Sequence, residues 1–222
     1  MEEIRLEILK DFKTDFQEVK LYRDEQKNLV LTLDTFVQFR EGRDEKVYHR
    51  TLVDEVIDKH KNPRSFLILG GGDGLCSRNI LSKVFNPEIT LVDIDQKMVE
   101  FCKTDPYITK LNKNSLEYSN CIYEDALTWT KNNNKKFDII FLDLPDANKE
   151  VLEPLYTKEF YKDVSKHLNK YGLISIQVNY DIKNKINNFI KQILGNSKII
   201  EYKMPWMGWG TIILGKNNRD NI

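Results

Sequence analysis

An α/β fold, with a parallel sheet flanked by helices and a small antiparallel β unit ahead of it, is predicted by three observations. The apolar run Ser65-Phe66-Leu67-Ile68-Leu69 empties into Gly70-Gly71-Gly72-Asp73-Gly74; strand-like and helix-like segments alternate from Arg64 onward; and acids stand at the tips of the first four strands in turn. A short apolar run bounded by glycines reads as a buried parallel strand. Alternation at this spacing implies βαβ units that bind ligands at the carboxyl ends of their strands.

The elements follow in order. Phe16 to Tyr22 and Asn28 to Phe39 are alternating runs about a turn at Asp24 to Lys27, a hairpin-like β unit that sets a small N-terminal domain at 1–47. The remainder, 48–222, forms the larger α/β domain. Val47, Leu52, Val53, Val56 and Ile57 share one helical face, and Lys61-Asn62-Pro63 ends that helix. Strands are expected at Phe66 to Leu69, Ile89 to Val92, Asn120 to Tyr123, Ile139 to Leu142 and Leu173 to Gln177. Helices are expected around Leu75 to Val84, Gln96 to Thr104, Ala126 to Asn132 and Thr157 to Leu168. Ile199 to Leu214 adds a strand pair near Trp206 and Trp209, and the asparagine-rich run Lys131 to Lys136 reads as a solvated loop.

Composition narrows the function. Lysine plus arginine and aspartate plus glutamate both number 34 in 222 residues, so the formal net charge is zero. That argues against a general nucleic-acid binder, which carries a basic excess. Cys76, Cys102 and Cys121 are odd in number and widely spaced, against a disulfide framework or structural zinc. No apolar run approaches the roughly 18 residues that span a bilayer, so no membrane partner is expected and the protein is read as soluble and cytoplasmic. His60 and His167 are read as surface residues, Cys76 as a packing residue, and Trp129 as a core or dimer contact.

The strand-end acids carry the chemistry. Asp73 follows the first strand, Asp93 and Asp95 close the second, Asp125 follows the third, and Asp143 and Asp146 follow the fourth. Asp73 also has an ordinary reading as a helix cap. Asp93 lies near the 20 or so residues past the glycine turn at which an acid accepts from ribose hydroxyls. The turn lacks the third glycine of Gly-x-Gly-x-x-Gly, which favours a single adenosine-type nucleoside over a dinucleotide. Asp143-Leu144-Pro145-Asp146 sets two carboxylates three apart on a loop, suited to hold a cation or take a proton from an ammonium. An Asx-turn about Pro145 is the plainer alternative.

Taken together, these motifs resemble the polyamine aminopropyltransferases, from about Phe16 to Lys216. The resemblance rests on Phe16-Gln17, Leu33-Asp34-Thr35-Phe36-Val37-Gln38, Asp44-Glu45-Lys46-Val47-Tyr48-His49, Gly70-Gly71-Gly72-Asp73-Gly74, Val92-Asp93-Ile94-Asp95, Glu124-Asp125-Ala126, Asp143-Leu144-Pro145-Asp146 and Leu155 to Tyr161. It implies a Rossmann-like, methyltransferase-type doubly wound sheet. It also implies aminopropyl transfer from decarboxylated S-adenosylmethionine to a diamine or polyamine, with putrescine the expected acceptor. Gln17 and Asp93 would hold the nucleoside, and Asp125 with Ala126 the adenine. Asp73 would pair with the ammonium of the aminopropyl arm, Asp143 would accept the proton, and Asp146, Tyr48, His49 and Gln38 would surround the attacking amine. The implied mechanism uses the decarboxylated donor as co-substrate and calls for no cofactor or metal, and the family implies a homodimer or tetramer.

Departures fall mainly on the acceptor side. Ala147 replaces a family proline, Asn148 to Glu153 stand where a Gly-Pro is usual, Thr35 replaces a glycine, and Asp93 is one methylene shorter than the usual Glu. The N-terminal β unit is short, and a tyrosine that lines the amine site near the end has no evident partner, leaving Trp206 as the candidate there. Two other functions stay open on the same fold: a methyltransferase using intact S-adenosylmethionine, and a polyamine- or nucleoside-binding protein without catalysis.

Overall fold

A computed structural model describes residues 6–145 and 150–218. Four antiparallel strands open the chain: β1 (Glu7–Lys13), β2 (Glu18–Arg23), β3 (Leu29–Leu33) and β4 (Phe36–Arg40), paired in that order. The hairpin-like reading therefore holds two further strands. β1 is charged and mostly exposed, so its sequence carries no apolar alternation to reveal it. The run from Asn28 to Phe39 folds back on itself at Asp34, whose φ of 55° turns the chain and whose carboxylate accepts the Glu18 N–H at 2.9 Å. Because the left-handed residue is Asp34, Thr35 stands in place of the family glycine without strain.

The connecting helix starts earlier than its apolar face indicated. α1 (Arg43–His49) runs into a π-helical turn, Arg50–Asp54, and then α2 (Glu55–Ile57). Asp44 and Glu45 were invisible to a hydrophobic pattern because they are acids, yet both are buried. Ser175 Oγ donates to the Leu52 carbonyl at 2.8 Å, tying the wide turn to the central sheet. The π-helical turn follows directly on Tyr48 and His49, the kind of place where such irregularities recur.

The second sheet has seven strands. β5 (Ser65–Gly70), β6 (Glu88–Asp93), β7 (Asn120–Tyr123), β8 (Phe137–Asp143) and β9 (Leu168–Val178) are parallel, whereas β10 (Ser197–Met204) and β11 (Gly208–Lys216) add an antiparallel edge, in the order β10-β11-β9-β8-β5-β6-β7. Alternate β5 residues feed different cores, as the two-residue period of a strand requires. Phe66 and Ile68 pack with α3 (Leu75–Lys83), α4 (Gln96–Thr104), α5 (Pro106–Asn112) and the N-terminal sheet. Leu67 and Leu69 pack with α6 (Ala126–Asn132), α7 (Lys158–Lys166) and α8 (Lys183–Leu194). Helices thus cover both faces, the doubly wound arrangement expected.

Two helices went unread. α5 is announced by Asp105-Pro106, a cap followed by proline at the first helical position, and α8 by the buried stripe Ile186, Ile190, Leu194. One histidine also differs from its reading. His167 is buried, not at the surface, with Nδ1 at 2.8 Å from the Lys135 carbonyl and Nε2 at 2.9 Å from that of Thr130. It ends α7 but is roofed by the loop after α6, a long-range placement that helix periodicity cannot show. Trp129 is core, its ring tilted against His167 and Phe137, and Cys76 is fully buried.

Candidate active site

Strand order reverses between β5 and β8, where an open α/β sheet leaves a crevice. Gly70 and Asp143 are register partners across that gap. Gly70 has a φ of 80°, and a Cβ there would run into the Asp143 backbone carbonyl; Gly71 N–H donates to that carbonyl at 3.1 Å. A Cβ on Gly72 would lie 2.8 Å from Asp93 Oδ2. The glycines therefore let the turn pass between two carboxylate-bearing strand ends. Gly70→Ala is expected to lower stability by about 2–4 kcal/mol, since positive φ and a backbone collision act together; a urea midpoint unchanged from wild type would refute this.

Asp73 Oδ1 accepts the Leu75 N–H at 2.9 Å, so the capping reading is realised, while the residue also lines the cavity. The turn's carbonyls are held from behind: Asn112 Nδ2 donates to Asp73 O at 3.0 Å and Ser115 Oγ to Gly74 O at 2.6 Å. Both clamps come from the α5 region that sequence reasoning passed over.

A cavity of about 740 Å³ opens here between the two sheets. It is lined by Gln17, Gln38, Tyr48, His49, Asp73, Asp93, Asp125, Ala126 and Asp143, so the structure brings these sequence candidates together, while Trp206 stands off the lining. Asp146, the remaining one, lies outside the described residues. Eight aspartates and one glutamate line the cavity, and among the described residues no lysine or arginine does. In a chain of zero net charge, negative charge has been gathered at one place.

Each acid is differently held. Asp95 caps α4, taking the Met98 N–H at 3.0 Å on Oδ1 and Thr14 Oγ1 at 2.6 Å and Gln17 Nε2 at 2.8 Å on Oδ2. Gln17, expected at the nucleoside, thus laces the N-terminal sheet to the start of α4 through Asp95. Asp93 accepts the Asp95 N–H at 2.9 Å, and burial pushes its pKa up to about 6. Asp125 caps α6 through the Leu127 N–H at 3.1 Å, leaving Ala126 at the helix start against the cavity.

Asp143 accepts a hydrogen bond on Oδ1 from the Tyr48 hydroxyl. Burial raises its pKa, the Tyr48 bond opposes that, and Asp93 adds to it. Asp73 is raised by burial and next by the Asp143 charge. Tyr48 is held well above its ordinary range by burial and then by Asp143, so it stays a donor. His49 is driven down to about 3 by burial and by Arg78. It is therefore neutral, and its Nδ1, 3.0 Å from the Glu45 carbonyl, carries the hydrogen.

The wall beyond Tyr48 was the least legible. Tyr202, Met204, Met207 and Trp209 from β10, β11 and their turn line it, whereas Trp206, the sequence candidate, is not among the lining residues. Trp206 instead lies beneath the Arg40 guanidinium, 5.4 Å from its ring centroid. Tyr202 is the tyrosine on this wall: its ring stands 6.3 Å from that of Tyr48 and occupies the space above its cross-strand partner Gly210. The signal was a tyrosine opposite a glycine, visible only once the strand register is known. Among the described residues, no group of three or more His, Cys, Asp or Glu side chains is placed to hold a metal ion, and no helix is long and apolar enough to cross a membrane.

A methyltransferase-like doubly wound sheet defines the class: an α/β protein whose cavity at the strand-end crevice is lined by acids. The spermine/spermidine synthase domain matches residues 45–207, and the chain belongs to that family. The polyamine aminopropyltransferase of Oceanobacillus iheyensis is 31% identical over 216 residues, covering 94% of this chain and 42% of that protein. That of Methanocaldococcus jannaschii is 33% identical over 205 residues, 90% of this chain and 68% of its own length. The chain thus spans less than half of the first relative and about two thirds of the second. A spermidine synthase solved in complex with the transition state analogue AdoDATO superposes with a TM-score of 0.84 at 22% identity, over 96% of this chain and 75% of that one.

Proposed function

We propose that this chain is a polyamine aminopropyltransferase that moves the aminopropyl group of decarboxylated S-adenosylmethionine to putrescine, giving spermidine and 5′-methylthioadenosine. The observation that carries it is the cavity lined by nine carboxylate residues and, among those described, no cationic side chain, with Tyr48 locked onto Asp143 at the crevice. Both reactants are cations. The donor bears a sulfonium and an ammonium, and the acceptor two ammonium groups.

Asp73, at the glycine turn, pairs with the donor's ammonium; Asp93 accepts from the ribose hydroxyls; Asp125 and the start of α6 face the adenine. Asp143 takes a proton from the attacking ammonium and leaves a neutral amine with a lone pair. That nitrogen attacks the aminopropyl carbon in line with sulfur, a carbon–nitrogen bond forms, and the carbon–sulfur pair returns to sulfur as a neutral thioether. Holding the two reactants in line supplies the larger part of the acceleration. Tyr48 fixes one oxygen of Asp143, and the rings of His49 and Tyr202 stand edge-on to the Tyr48 ring at 4.8 and 6.3 Å.

Incubation with putrescine and, separately, the decarboxylated and the intact donor tests the reading. Spermidine and methylthioadenosine are expected from the decarboxylated donor alone. Methylated amine from the intact donor, with no spermidine, would assign the chain to methyl transfer instead.

A further inference from the structure

One buried carboxylate in the cavity wall has no use in that mechanism. Asp44 is 1% exposed; its Oδ1 accepts the Trp206 N–H at 3.0 Å, and its Oδ2 has no hydrogen-bond partner among the described residues. No lysine or arginine among the described residues pairs with it. Its neighbour Glu45 differs, because its Oε1 pairs with Arg78, so its charge is already met although Oε2 is also unpartnered. His49 Nε2 is a third unpartnered acceptor, on a neutral ring. Of the three, Asp44 alone is a buried carboxylate that no cationic side chain among the described residues answers. An isolated carboxylate is costly to bury, so a cation from outside the chain is its natural complement.

The surroundings narrow the kind of cation. Asp44 is joined through Trp206 to the β10–β11 turn, and Met204, Met207 and Trp209 of that hairpin give the same cavity an apolar wall. A methylene chain suits that wall and an ammonium suits the acid, while Asp143 and Tyr48 stand elsewhere on the same cavity. Resting on the aminopropyltransferase reading, we propose that Asp44 anchors the second, non-reacting ammonium of a diamine acceptor, and so selects diamines over monoamines.

Asp44→Asn tests this, because asparagine Oδ1 can still accept the Trp206 N–H while the charge is lost. Acceptor KM and kcat are measured with 1,4-diaminobutane and with n-butylamine, which lacks the second ammonium. Loss of a buried charge pair predicts that the wild-type preference for the diamine falls at least about 30-fold, with n-butylamine turnover and donor KM essentially unchanged. A preference that survives would overturn the proposal, leaving Oδ2 to water. Equal losses with both amines would overturn it too, because they would assign Asp44 to organising the turn at Trp206. If the wild type transfers nothing to either amine, the aminopropyltransferase reading fails. Calorimetric binding of 1,4-diaminobutane to the wild type and the variant then decides the anchor alone: weaker binding by the variant supports it, and equal or no binding refutes it.

Discussion

Asp143→Asn is expected to lower aminopropyl transfer by about 10²–10⁴-fold, the usual contribution of a positioned base, while making the ligand-free protein more stable. The two effects share one cause. Asp143 is buried at the crevice with Asp73 and Asp93 close enough to interact, and burial raises its pKa above the ordinary carboxylate value. Between the ordinary and the raised value the folded chain binds more protons than the unfolded one. Its stability contribution is therefore full at low pH and falls as pH rises through the raised value. At pH 8 the ionised side chain destabilises the empty fold, and asparagine removes that charge while its Oδ1 still accepts from Tyr48. A gain of about 1–2 kcal/mol, or about 3–6 °C in Tm for a chain of this size, is expected at pH 8. It should shrink towards pH 4. A thermal melt across that range reads it, and a variant that is less stable at pH 8 would show Asp143 to be a structural residue. In the wild type, kcat/KM should rise with pH as Asp143 ionises, and the variant should lose that limb.

The glycine turn and the strand-end acids were more legible than the cavity wall beyond Tyr48. Glycines at 70–74 and acids at four successive strand tips depend only on local turns and strand ends, both of which sequence spacing displays. The parallel core was legible for the same reason, since β5 to β9 are apolar runs separated by helices. β1 was not, because an edge strand of charged residues has no pattern apart from the partner it pairs with. Tyr202 over Gly210, Asp44 beneath Trp206 and Gln17 on Asp95 join residues 8, 162 and 78 positions apart, and each depends on how two elements dock. His167 failed in the same way, because its helix position was right but the loop read as solvated, which holds Lys135, could not be placed over it from spacing. Asp44 and Glu45 add a further reason: buried acids look like surface residues to any hydrophobic pattern, and their partners, the Trp206 N–H for Asp44 and Arg78 for Glu45, are distant in sequence.

Asp73→Asn should weaken binding of the decarboxylated donor by about 30-fold or more, the scale of losing one partner of a buried charge pair, and narrow its advantage over intact S-adenosylmethionine. The intact donor carries a carboxylate on the carbon that bears the ammonium, so docking the arm at Asp73 sets two negative charges side by side where water is excluded. Asparagine removes the attraction for one donor and the repulsion for the other. Inhibition constants for both donors measure the two changes, and equal weakening would show that Asp73 does not discriminate. The pH dependence gives an independent reading. Burial and Asp143 hold Asp73 partly protonated in the empty cavity, and a bound cation favours the ionised form, so donor binding releases protons. Affinity should therefore fall as pH drops below neutrality, because the acids must shed protons they hold more tightly. In Asp73→Asn the slope should be shallower by about one proton. Calorimetry in buffers of different ionisation enthalpy counts those protons directly, and an unchanged count would mean that the released proton comes from Asp93 or Asp143, leaving the donor's ammonium to one of them.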